Sequence, residues 1–196
     1  MKKKINRGVL LTLAVLLGVF CVAYGYVGKM SKEKESACAV VTAALKEYLN
    51  ARTIPFEMRQ TINEGTNVSS GEFDIVVSEK RRVYYNYLQS VMYAPDSKST
   101  ELQIDEMVRS AEINLNRQYS KKTPIDGYVL EELHNSKIGF LKDDFKINAD
   151  FTEISVTVEH KVRYNNQSTS TEKTYNLVKV NGEWKLNTVL NLYGVS

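Results

Sequence analysis

Residues 154–164 read Ile-Ser-Val-Thr-Val-Glu-His-Lys-Val-Arg-Tyr, and residues 171–186 read Thr-Glu-Lys-Thr-Tyr-Asn-Leu-Val-Lys-Val-Asn-Gly-Glu-Trp-Lys-Leu. In the first stretch Ile154, Val156, Val158, Val162 and Tyr164 alternate with Ser155, Thr157, Glu159, Lys161 and Arg163. A period of two is that of a β-strand with one buried face, because successive side chains leave a pleated backbone on opposite sides. His160 falls in the inward register between Val158 and Val162. Residues 165–170 form a polar turn, and residues 171–180 form the next strand. Asn181-Gly182 is a strong hairpin signal, since a type I′ turn needs positive φ at both central positions. Trp184, Leu186, Thr188 and Leu190 alternate along the returning strand, so the chain closes on a three-stranded antiparallel meander.

Toward the N-terminus the period changes from two to between three and four. Residues 31–50 carry Ala37, Val40, Val41, Ala44, Leu45, Tyr48 and Leu49 as one apolar stripe, the mark of an amphipathic helix. Residues 54–62 suit a short strand or extended arm, and 65–71 a turn. Ser78 is expected to open a second helix with Tyr84, Tyr87, Leu88, Val91 and Met92 on its buried face, ended by Pro95. Thr100 and Gln103, in capping-box spacing, are expected to start a third, lined by Ile104, Met107, Val108, Ala111 and Leu115. Between 127 and 145, Ile138, Phe140 and Phe145 point to one or two strands around an Asp143-Asp144 turn. Helices followed by a meander define an α+β domain, with helices packed on a curved antiparallel sheet.

The far N-terminus is of another kind. Lys2, Lys3, Lys4 and Arg7 precede an uncharged run over residues 9–27. As a helix that run reaches roughly 28 Å, close to the thickness of a bilayer's hydrocarbon core. The expected organisation is a cytoplasmic leader (1–8), a transmembrane signal anchor (9–27), a juxtamembrane helix (28–52) beyond a break at Gly28, and an extracytoplasmic domain (53–196). Tyr24 and Tyr26 suit the outer headgroup layer of a retained helix. Ala23-Tyr24-Gly25 also offers small residues for signal peptidase, so secretion after cleavage near Gly25 is the alternative. A short Lys-rich leader with this composition points to a bacterial plasma membrane.

Four of the 26 Lys and Arg precede the apolar run, leaving 22 to balance all 23 Asp and Glu. The exported part is therefore near neutral and has no nucleic-acid surface to advertise. Cys21 and Cys38 stand on either side of the membrane boundary and cannot staple the domain. Cys38 reads as a small residue on the apolar helix face, with joining of two copies as the lesser reading.

The stretch 173–186, a strand, a short Gly-containing turn and a Trp-Lys-apolar strand, resembles the closing hairpin of the nuclear transport factor 2-like superfamily. That resemblance covers the last 45 or so residues, and it implies a curved sheet wrapped around helices as a cone with a pocket. Members include enzymes, ligand binders and assembly modules, among them membrane-anchored scaffolds of conjugative secretion channels. No residue of a family site is matched here. If the cone holds a small ligand, His160, Tyr164 and Trp184 are the pocket candidates. Lys80, Arg81 and Arg82, with Tyr85 and Tyr93, are the candidates for contact with a partner.

No phosphate loop, nucleophile elbow or metal-ligand spacing is present, and His134 beside Glu131 and Glu132 lacks the spacing of a metal motif. The expected function is non-enzymatic and needs no cofactor: a single-pass membrane protein whose outer domain assembles with envelope partners or itself. The alternative is an exported small-ligand-binding module.

Overall fold

The computed structural model describes residues 7–120, 125, 127–135 and 145–190, of which 7–10, 132–135 and 145 by backbone alone. Helix α1 (Arg7–Arg52) runs unbroken for 46 residues, about 69 Å at the usual rise. It passes straight through the expected break at Gly28. One glycine costs a helix interior only about 1 kcal/mol, and the Lys-, Glu- and Ala-rich turns that follow favour continuation. Its two halves meet different surroundings. Between Leu11 and Tyr26 the side chains are exposed, whereas Ala37, Val41, Ala44 and Leu45 are wholly buried in the domain core. One long, apolar, exposed N-terminal helix is compatible with a membrane anchor or a signal sequence.

Three more helices follow. Residues 54–62, expected to be extended, instead form α2 (Phe56–Asn63). Proline at position 55 is tolerated where a helix starts, and Met58 and Ile62, four apart, pack on Ile54, Phe73, Leu115 and Ile125. Helix α3 (Ser70–Val91) begins eight residues before Ser78. Ser69 caps it: its hydroxyl accepts the Glu72 N–H at 3.2 Å, and the Glu72 carboxylate accepts the Ser69 N–H at 3.3 Å. Helix α4 (Ser97–Ser120) starts ahead of Thr100, which lies buried within its first turn and donates to the Asp96 carbonyl at 3.0 Å. The Asp96 carboxylate instead receives the Lys98 N–H at 3.2 Å, so the start signal is Asp96 rather than Thr100. The expected inner faces are found: Tyr84, Leu88 and Met92, then Ile104, Met107, Val108, Ala111 and Leu115, are buried.

Strands β1 (Val129–Asn135), β2 (Phe145–Ile147), β3 (Glu153–Tyr164), β4 (Gln167–Val180) and β5 (Glu183–Leu186) form one curled antiparallel sheet. Its order is β1-β3-β4-β5, and β2 pairs with β3 alongside β1. On β3 every second residue from Ile154 to Val162 is buried, as the alternation requires. The polar turn is tighter than expected. Asn165 and Asn166, at φ 51° and 60°, make the whole reversal, and β4 begins at Gln167. Asn181 and Gly182, at φ 52° and 86°, make the expected second hairpin. Strand β5 stops at Leu186, short of Leu190, because Thr188 turns its hydroxyl onto the Asn176 N–H at 2.9 Å. Ile138, Phe140, Asp143 and Asp144 lie outside the described residues, as does the side chain of His134.

The core is where α1 meets the concave face of the sheet: Val41, Leu45 and Tyr48 share it with Val156, Tyr175, Leu177 and Leu186. Cys38 is buried on that helix face. Along the sheet, α1 and β3 run together. Tyr26 meets Phe151 edge-on at 5.2 Å below β3, and the Arg52 guanidinium lies 5.7 Å from the Tyr128 ring, itself stacked on Tyr164 at the top of β3.

Candidate functional site

The pocket candidates are spread along the sheet. Trp184, buried on β5, donates its indole N–H to Glu33 at 3.0 Å. His160, 1% exposed at mid-strand, faces Thr171, whose hydroxyl lies 3.1 Å from Nδ1. Burial, with Lys173 nearby, lowers the pKa of His160 below the ordinary imidazole value. Tyr164 stacks on Tyr128 at 4.3 Å, at the end of β3 opposite Trp184. Helix α1 occupies the concavity that a cone pocket would need.

Trp184 belongs to a junction that the sequence did not disclose. The Lys179 ammonium donates to both Glu33 carboxylate oxygens at 2.6 and 2.7 Å, and sits 5.1 Å from the Trp184 ring. Those bonds, first that from Lys179, outweigh burial and hold the Glu33 carboxyl below its ordinary pKa. One turn closer to the apolar segment, Lys29 lies 4.2 Å from the Phe151 ring. The base of the sheet is thus clasped to α1 just beyond its apolar half. The available signal was Glu33 itself, four residues before Ala37 on the core-facing side of the helix.

The partner candidates divide. Lys80 turns back to the end of α1 and donates to the Asn50 carbonyl at 2.6 Å, where a cation complements the carbonyl end of a helix. Tyr93 donates its backbone N–H to the Leu186 carbonyl at 2.7 Å, so it ties α3 to β5. Arg81, Arg82 and Tyr85 are brought together in an open groove of about 690 Å³ between α3 and α4. Asp105, Arg109 and Glu112 of α4 also line it, and Glu112 pairs with Arg81 at 3.4 Å. Helical spacing from Val108, a recognised core position, places Asp105 and Glu112 on neighbouring turns.

Among the described residues no group of three His, Cys, Asp or Glu side chains is arranged to hold a metal. What the geometry offers is contact surface: a mixed-charge helical groove on one side and a sheet clasped to the long helix on the other. No family model matches this chain, and no curated protein matches it.

Proposed function

We propose that this chain is a single-pass bacterial plasma-membrane protein, N-terminus inside, whose extracytoplasmic α+β domain is an assembly module of the cell envelope, in secretion or conjugation. One observation carries the reading: α1 serves as both apolar segment and core helix, with no flexible joint between them. A ligand carrier gains nothing from such rigidity. A scaffold does, because its contact surfaces then stand at a fixed height and orientation above the bilayer. The clasp of Glu33, Lys179 and Trp184 reinforces that coupling, and the groove bearing Arg81, Arg82 and Tyr85 supplies a surface suited to a protein partner. The filled concavity weighs toward an assembly role for a cone of the nuclear transport factor 2 kind, over a pocket role. The proposed activity is non-enzymatic.

In-cell crosslinking of the tagged full-length protein, followed by mass spectrometry of the captured membrane complex, tests the proposal. A reproducible set of envelope partners is expected. Monomer alone, with a mature N-terminus at Tyr26, would overturn it in favour of a released ligand-binding module.

A further inference from the structure

Strand β4 is far longer than its neighbour β5. Its last four residues, from Leu177 to Val180, pair with β5, and Asn176 is bonded to Asn187 and Thr188. From Gln167 to Tyr175, among the described residues, no strand lies along that side. The polarity of this edge follows from the ladder. Asn176 directs both its N–H and its C=O toward the β5 side, whereas the Lys179 N–H goes the other way, to Thr152. The pairing with β3 runs without a bulge from Val178 to Gln167. Even-numbered residues therefore keep facing outward, and Ser168, Ser170, Glu172 and Thr174 present their backbone donors and acceptors to solvent. Such a row is a template for an incoming strand.

We propose that this edge of β4 receives, by strand addition, an extended segment of a different envelope protein carrying Lys or Arg beside Glu172. This inference rests on the reading of the chain as an anchored assembly module. Two observations define the occupant. First, Glu159 and Glu172 are directly opposed across β3 and β4. The Ser170 hydroxyl donates to Glu159 at 2.7 Å and Lys161 flanks it on the same face, whereas Glu172 stands exposed on the edge strand, where a cation of an incoming strand would offset the like charge. Second, geometry excludes a second copy. The strands run alongside α1, hence along the membrane normal. Antiparallel pairing of β4 with itself has its two-fold axis perpendicular to the sheet, which would turn the second anchor away from the shared membrane. Parallel self-pairing about an axis along the strands sets both rows of outward groups at equal heights, whereas a parallel ladder needs them staggered by one residue. A heterologous strand meets neither obstacle.

The test uses the full-length protein in its own membrane with a photo-crosslinking residue at Thr174. Proline replaces Ser170 or Glu172, whose N–H groups face outward, so the pairing with β3 keeps its hydrogen bonds. A partner adduct is expected in the parent and in Ser170→Ala. It should fall about tenfold or more in Ser170→Pro and Glu172→Pro, as loss of a ladder bond and its surrounding fit predicts. Glu172→Lys, which leaves the backbone donors in place, should weaken the same adduct in protein of unchanged protease resistance. An adduct indifferent to all three substitutions, or one formed with a second copy of this chain, would overturn the inference. Adducts from Tyr85 but none from Thr174 would overturn it while leaving the assembly reading standing, and none from either position would overturn both.

Discussion

The two halves of α1 are one continuous helix, yet they are apolar for opposite reasons. From Leu11 to Tyr26 the residues are apolar around the whole circumference and remain exposed, with Tyr26 meeting Phe151 of the domain at the end of the run. From Ala37 to Ala51 hydrophobicity is confined to a stripe, and that stripe is buried to within a few percent. The first half suits an apolar solvent, as a membrane anchor or a signal sequence would, and the second requires an apolar partner surface. An aspartate placed in each half separates the two demands. Val41→Asp should unfold the α+β domain, since an unpaired charge in a fully buried site costs upward of about 4 kcal/mol. Under the proposed anchor, Leu16→Asp should leave domain melting unchanged and cost insertion about 3 kcal/mol, read as protein released by alkaline extraction of membranes. Equal melting of both variants would break the distinction.

Where the halves meet, the clasp sharpens the comparison. Glu33→Ala should destabilise the α+β domain by about 2 kcal/mol in thermal unfolding at neutral pH, the usual effect of leaving a largely covered cation without its partner. The Glu33 carboxyl has a lower pKa folded than unfolded. Its contribution is therefore complete above the ordinary carboxylate value of 4.5 and is lost as pH falls through the lowered one. Parent and variant should converge in acid. A difference that persists well below that range would assign the effect to packing instead.

Away from α1 the expected effects are smaller. Ser69→Ala removes the cap of α3 and should cost about 1 kcal/mol in denaturant unfolding, with little change in the slope. His160, with its pKa lowered by burial, binds its proton more readily in the unfolded chain than in the folded one. Stability should thus decline as pH falls below 6.5, and a His160→Gln variant should lack that limb of the pH profile. An identical limb in the variant would place the titration elsewhere.

Much of this was legible beforehand wherever one local rule governed. The β3 alternation, the Asn181-Gly182 turn and the stripes of α1 and α4 each follow from a period or a backbone preference. Boundaries failed where two signals competed. Ser78 is a plausible cap, but Ser69, nine residues earlier, together with Glu72 satisfies two N–H groups and prevails. Residues 54–62 alternate at Ile54, Phe56 and Met58, yet Ile54, Met58 and Ile62 also share a helical face, and packing on Phe73 and Ile125 selects the latter. Of the interaction candidates, Arg81, Arg82 and Tyr85 share a groove, while the Lys80 ammonium turns to the end of α1 and the Tyr93 backbone bonds to β5.

By itself the sequence determined the α+β class, the apolar N-terminal helix and the closing Asn181-Gly182 hairpin, because these depend on hydrophobic period, length and turn chemistry along the chain. Only the tertiary structure decided that α1 fills the sheet's concavity, that Glu33 meets Lys179 and Trp184 across some 150 residues, and that among the described residues β4 outruns β5 and leaves part of its edge without a strand. Those outcomes turn on which surfaces bury one another and on relative strand length, and neither is encoded within a single local window.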